Sequence, residues 1–481
     1  MRTKYIFLCC LALGFSITSL AQEEVYMTGL LPDDGTYEQL ERKKELLTRD
    51  YTILPSSYSL LKYCPIVKSQ SQYSTCTSWA TAYAARTIAE AIKYDWTDKG
   101  KITGEAFSPL FVYAQIKDKI AYPDDYDCKK GTHIFKALQL MKEKGVPKFS
   151  DFNVLCANSV SDDLMQKAQT FKINDYFTLF SISCTDGSEK IRKVKKALSE
   201  DCPVIIAMHI PQSFHNSNQT WNGQDVDPTK HGYHAMCVVG YDDNMQGGAF
   251  YIMNSWGTNW GENGFVWVKY NDFAKYVDQA YEMYVRKIDK TPPPAPKPTI
   301  VDTIRYNHLA GKIELQLSTG EKMVATLHSE GGITRYNLND SYISGTRYRL
   351  YISNNEPAYV YVIGADLTGS VSKVFPPKEN ISAALTYKSN HIAIPDEQYF
   401  IEMDQTKGTD YMCVLYSQDA LDINAIINQM RGVNGSFYDK LNVLNNLLIT
   451  GTDVTYGQTE IRFQALSQKT VVPVVIEIPH K

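Results

Sequence analysis

Charge of one sign is not in excess in this chain. Among 481 residues, Lys and Arg number 49 and Asp and Glu 53, a formal net charge of −4. That balance offers no electrostatic footprint for nucleic acid. Beyond the first residues, no apolar run is long enough to cross about 30 Å of hydrocarbon. No Cys-x-x-Cys pair occurs and the cysteine spacings fit no tetrahedral zinc pattern, so neither a metal nor a cofactor is expected. No internal repeat is visible, and low complexity is confined to one proline-rich stretch. Hydrophobic residues make up 44% and aromatics 12%, which excludes wholesale disorder. The length is a prior for two to four domains.

The first residues read as an address rather than as fold. Arg2 and Lys4 form a short basic start, Tyr5 to Leu13 is almost wholly apolar, and Ser19-Leu20-Ala21 supplies small residues before a cut. The pattern predicts a signal peptide over 1–21, removed near Ala21, and an exported protein: periplasmic, extracellular or at the cell surface. Cys9 and Cys10 sit inside the apolar run, not at its end as a lipoprotein cysteine would. Cys64, Cys76, Cys128, Cys156, Cys184, Cys202, Cys237 and Cys413 remain. Disulfides are compatible with export, but the sequence leaves their connectivity open.

Residues 22–53 are polar and charged, with helical spacing near Tyr37–Leu47. They form an N-terminal extension or a short pro-segment. Mixed helix and strand texture runs over 54–288. Residues 289–300 hold Thr-Pro-Pro-Pro-Ala-Pro-Lys-Pro-Thr, whose proline density makes a stiff, extended linker. Over 301–481 the pattern is mostly period two, as in Ile313–Leu317, Tyr348–Ile352, Ala358–Ile363 and Val471–Ile478. Helical stretches near Leu421–Met430 and Tyr438–Leu448 interrupt it. This predicts a β-rich, sandwich-like accessory domain.

Three segments of 54–288 carry chemistry. After Cys76 come Ala-rich residues with Trp79, Tyr83, Ile88 and Ile92 at helical spacing. A thiol at a helix N-terminus feels the positive end of the dipole, which lowers its pKa. The rival reading is a small buried core cysteine. Gly232-Tyr233-His234-Ala235 opens an apolar strand, where a histidine is either a base or a core residue. Tyr251-Ile-Met-Asn254-Ser255-Trp256-Gly257 ends a strand with Asn, Trp and Gly in close order. Taken together these supply a nucleophile, an imidazole to ionise it, and an amide to orient the imidazole. A Gln upstream adds a donor for a developing oxyanion.

These segments resemble the papain-like cysteine peptidases, the family of papain and the cathepsins. Gln, Cys, His and Asn follow in the family order, and Gln70 stands six residues before Cys76. Asn254-Ser-Trp-Gly-Thr-Asn-Trp-Gly-Glu-Asn-Gly is the most specific segment. The resemblance implies an α+β, papain-like two-lobed fold over 54–288, a helical lobe beside a β-barrel-like lobe. It implies Gln70 as oxyanion donor, Cys76 as nucleophile, His234 as general base and acid, and Asn254 as its orienter. Trp256 would cover the His–Asn hydrogen bond, with Trp79 and Tyr233 as supporting neighbours. Cys128 and Cys156 resemble family disulfide positions. Two departures stand out: Tyr73 replaces an upstream disulfide cysteine, and Trp79 does not directly follow Cys76. Cys76 and His234 lie 158 positions apart, slightly beyond the roughly 130–150 of the signature.

The function expected is a secreted cysteine endopeptidase acting on peptide or protein substrates. Its runners-up are a thiol-dependent amidase or acyltransferase on cell-wall or other amides, and a catalytically silent binding module. His209, His215 and His231 are rival bases, and Gln72 rivals Gln70. Residues 190–198 read as a solvated basic helix. The C-terminal domain is expected to dock a surface or a protein, and residues 22–53 are either a short pro-segment that blocks the cleft or merely an extension.

Overall fold

The computed structural model describes residues 27–43, 54–223, 232–286, 307–330, 333–387 and 391–481. The signal peptide expected over 1–21, the linker expected over 289–300 and His231 lie outside the described residues, as do parts of the extension.

The first half pairs a helical layer with an eight-stranded sheet. Its principal helix begins at Cys76, widens into a π-helical stretch at Trp79–Arg86 and continues through Thr87–Tyr94. Small Ala side chains let it run through the core, where Ala82, Ala85, Ile88 and Ala91 are fully buried. Helices Pro109–Ile116 and Ile134–Glu143 pack beside it. Ser108 caps the first of these by accepting the Phe111 N–H, with proline at the opening turn as expected.

The sheet runs Asp175–Thr178, Val277–Tyr284, Val204–Ile210, Gly232–Asp242, Ala249–Met253, Phe265–Lys269 and Thr220–Trp221, with Ser57–Ser59 added beside Gly232–Asp242. Antiparallel register sets Met208 opposite His234 and His209 opposite Tyr233. The helix Gly187–Ser199 corrects the reading of a solvated basic face. Lys190 and Lys193 are buried, and the Lys190 ammonium donates to the Val277 carbonyl at 2.7 Å. A long side chain can bury its stem when a carbonyl meets its head.

The second half is a sandwich of two seven-stranded sheets, with helices Ile423–Arg431 and Phe437–Leu441 on one side. The fold is therefore α+β, with a mostly β C-terminal region. The halves are packed together: Phe177 and Tyr284 of the first share an apolar cluster with Tyr359, Tyr361 and Val471 of the second. Tyr359 also donates to Asp175 at 2.9 Å. Among the described residues no helix is long and apolar enough to cross a membrane.

Residues 27–43 lie across the first half. The helix here is Asp34–Gln39, shorter than the sequence spacing suggested, with Asp33 as its cap. Tyr37 anchors it, fully buried, donating to the Phe180 carbonyl at 2.8 Å and accepting the Ala280 N–H at 3.2 Å.

Candidate active site

Cys76 opens the principal helix, on the layer boundary facing the sheet. The strand that carries His234, Gly232–Asp242, packs against the start of that helix. The Ala235 and Gly29 backbones both hydrogen-bond to the Cys76 sulfur, the Gly29 N–H at 3.2 Å. His234 Nε2 lies 2.7 Å from Asn254 Oδ1. Asn254 Oδ1 also accepts the Ser255 N–H at 2.7 Å, which fixes the amide. His234 Nδ1 is buried and has no hydrogen-bonding partner among the described residues. The Trp256 ring stacks on His234 with centroids 4.7 Å apart, covering the His–Asn pair.

Gln70 joins the same assembly through its backbone and its side chain. Its N–H donates to the Ser255 carbonyl at 2.7 Å, and its Oε1 accepts from Ser255 Oγ at 2.6 Å. Its Nε2 donates to the carbonyls of Tyr73 at 2.8 Å and Met27 at 3.0 Å. The fold thus brings Gln70, Cys76, His234, Asn254 and Trp256 together. Trp79 instead packs into the core against Tyr83 and Phe149. Tyr233 is half-buried, its ring tilted against His209 with centroids 3.9 Å apart, and donates to Asp278 at 2.6 Å. His209 also lies 2.7 Å from Asp278, and His215 stacks on Trp256.

Residues 27–31 cover this assembly. The Met27 carbonyl accepts from Gln70 and, at 3.2 Å, from Trp256 Nε1. The Gly29 carbonyl accepts the Thr132 N–H at 2.8 Å, and the Leu31 N–H donates to the Thr132 carbonyl at 2.9 Å. Gly29 has no room for a side chain: a Cβ there would lie 2.1 Å from the Ser74 carbonyl oxygen. Beneath this cover Gln70 is 2%, Cys76 0%, His234 0% and Asn254 3% exposed.

Covering sets the electrostatics. Burial pushes the Cys76 thiol above its ordinary value, against the hydrogen bonds from Ala235 and Gly29. Burial also lowers His234 to about 4, while the Asn254 hydrogen bond works to raise it. A low-dielectric site disfavours both charged forms. Desolvation of the fully buried sulfur thus acts against the lowered thiol pKa expected at a helix N-terminus. The sequence reading missed Met27, Gly29, Thr132 and Ser255. Three of these act through backbone atoms, which leave no residue-type signature; Gly29 at a close approach was the legible hint.

The His234–Asn254 pair, with Cys76 at the head of the principal helix, is similar to the arrangement of the papain-like cysteine proteases. Residues 114–284 match the model of the papain family cysteine protease, and residues 341–420 match a domain of unknown function, DUF4384. The first match takes in His234 and Asn254 and begins after Cys76, past the stretch that departs from the family pattern. An uncharacterized peptidase C1-like protein of Acanthamoeba polyphaga mimivirus is 29% identical over 116 residues, 23% of this chain and 35% of the relative. Peptidase 1 of Dermatophagoides pteronyssinus is 32% identical over 119 residues, 23% of this chain and 32% of the relative. The chain thus spans about a third of the length of these curated relatives. Among solved structures, xylellain, a cysteine protease from Xylella fastidiosa, aligns at a TM-score of 0.44 and 21% identity, over 56% of this chain and 99% of that one. Procathepsin L 3 of Tenebrio molitor larval midgut aligns at 0.40 and 16%, over 52% and 77%.

The Cys128–Cys156 pair forms a disulfide, with Cα atoms 5.4 Å apart. The Cys128 carbonyl accepts the Ser74 N–H at 2.8 Å, tying that loop to the approach to Cys76.

Proposed function

We propose that this protein is an exported cysteine peptidase whose active site is held latent by residues 27–31. Cys76 supplies the nucleophile. In the uncovered site His234 Nδ1 takes the thiol proton, and the thiolate attacks a substrate peptide carbonyl carbon. The carbonyl oxygen becomes an oxyanion that Gln70 Nε2 and the Cys76 N–H receive. The imidazolium then protonates the leaving amine as the C–N bond breaks, giving a thioester. Water, deprotonated by His234, hydrolyses the thioester to a carboxylate and frees the thiol. Asn254 Oδ1 keeps Nε2 protonated, so that Nδ1 is the working nitrogen.

One observation carries the reading: the Gln70 amide already donates to a peptide carbonyl, that of Met27, beside the Cys76 sulfur. A carbonyl-binding donor next to a nucleophile is the arrangement acyl transfer needs. Export rests on the basic, apolar and small residues of 1–21. A thiol-alkylating epoxide tests the chemistry. It should modify Cys76 in chain freed of residues 22–53, and Cys76→Ala should abolish both labelling and peptide cleavage. Cleavage that persists in Cys76→Ala would refute the assignment.

A further inference from the structure

We propose that the C-terminal domain is an intramolecular clamp on the N-terminal segment. It would hold the far end of the covering strand and so set how readily the active site opens. The proposal rests on the latency reading above and assigns the second half a role in it.

The observations meet at residues 41–43. This short extended stretch is hydrogen-bonded along both edges, one to each domain. Toward the first domain, the Thr178 N–H donates to the Glu41 carbonyl at 3.0 Å, and the Lys43 N–H donates to the Thr178 carbonyl at 3.0 Å. Toward the second, the Arg42 N–H donates to the Asn380 carbonyl at 2.8 Å, and the Ser382 N–H donates to the Arg42 carbonyl at 3.0 Å. Arg42 is thus a bridge partner of both Thr178 and Ile381.

Side chains lock the same junction. Lys43 is buried, with its ammonium 2.5 Å from a fully buried Glu282 carboxylate on the first domain's strand Val277–Tyr284. The second domain completes the shell. Lys43 also donates to Thr386 Oγ1 and sits 3.3 Å over the Tyr387 ring. Thr386 and Tyr387 donate to the two Glu282 oxygens, at 3.2 and 2.7 Å. A buried ion pair is tolerable only when its remaining valences are met. Here the segment brings the cation, the first domain the anion, and the second domain the hydrogen bonds that satisfy them.

The geometry transmits to the active site through a short path. From Lys43 the segment runs back through the helix Asp34–Gln39, fixed by Tyr37, to Gly29 on Cys76. A covering strand held at both ends returns to the cleft faster than one held at a single end, because its effective concentration there is higher. Coupling of this kind is reciprocal. Segment bound in the cleft tightens the junction, and the junction tightens the segment.

The test compares intact chains from Gln22 onward by the rate at which an epoxide alkylates Cys76. Thr386→Ala with Tyr387→Phe removes the second domain's donors, and Ser382→Pro removes one edge hydrogen bond by an independent route. Gly29→Val reports on latency by itself. Melting temperatures and peptide turnover after removal of the segment show that each variant is folded. The expected result is fast labelling in Gly29→Val and labelling raised several-fold over wild type in both junction variants. Fast labelling in Gly29→Val with wild-type rates in both junction variants overturns the clamp and leaves latency standing. Wild type labelling as fast as Gly29→Val overturns latency and the clamp with it. Reciprocity adds a second readout: amide exchange at 380–387 should rise once residues 22–43 are cut away, and unchanged exchange there also counts against the clamp.

Discussion

The Gly29 N–H points at the Cys76 sulfur from 3.2 Å. The Cys76 thiol, the proposed nucleophile, is thus capped by the chain's own backbone, and residues 27–31 also place the Met27 carbonyl on the Gln70 amide. The consequence is electrostatic as well as steric. Covering strips water from Cys76 and His234 and holds both neutral.

Gly29→Val should therefore unmask the site. The Cβ would meet the Ser74 carbonyl oxygen at 2.1 Å, and backbone atoms cannot yield as a flexible side chain can. The expected outcome is epoxide labelling of Cys76 at least about tenfold faster than wild type, equivalent to about 1.4 kcal/mol against the covered state. Thermal melting of the rest of the chain should be nearly unchanged. Wild-type labelling rates in this variant would show that residues 27–31 do not guard Cys76.

Kinetics should separate the roles of the polar groups in chain freed of its segment. His234→Ala removes the proposed proton carrier and should cost about 10²–10⁴ in kcat/KM. Gln70→Ala removes one proposed oxyanion donor and should lower kcat about 10²–10³-fold with little change in KM. If Gln70→Ala raised KM alone, the residue would bind substrate rather than the transition state.

Acid should loosen the cover. Burial holds His234 at about 4, below its ordinary 6.5. A covered ring resists protonation and an uncovered one accepts it, so the covered state is favoured above the ordinary value and loses stability as pH falls from about 6.5 toward about 4. Asp33 acts in the same direction. The Thr36 N–H that it accepts holds its carboxyl below its ordinary 3.8, so this contribution is fully present above 3.8 and is lost only as pH falls further, below either pH compared. Mass spectrometry of the chain should record faster loss of the segment at pH 4.5 than at pH 7.0. Equal or slower loss at pH 4.5 would contradict the sign.

The disulfide is a separate support. Cys128–Cys156 closes a loop of 28 residues beside Ser74. Cys128→Ser with Cys156→Ser should lower unfolding free energy by about 2–4 kcal/mol, read by urea denaturation under oxidising conditions. No change in the midpoint would mean that the bridge adds nothing to the fold.

Much of the site was legible because its side chains carry the chemistry. Asn254-Ser255-Trp256 had to end a strand, and His234 had to begin one, for the pair to meet at 2.7 Å. The β-sandwich was legible from alternation, as in Arg347–Asn354, whose side chains alternate between buried and half-buried or exposed. What escaped was held by backbone and by distance. Met27 and Thr132 contribute carbonyls and N–H groups that any residue could supply. Lys43 and Glu282 lie far apart in sequence, and nothing local marks either for burial. Lys190 looked solvated because the carbonyl of Val277 that receives it belongs to another strand.

The most direct test of latent peptidase action places a sequence-specific protease site within residues 44–53, so that the segment is released only after folding. Fluorogenic peptide turnover is then measured in reductant before and after the cut, beside the same chain carrying Cys76→Ala. The account predicts little turnover before cutting, a rise of at least about tenfold after it, and none in the variant. Equal turnover before and after cutting, or turnover that survives Cys76→Ala, would contradict it.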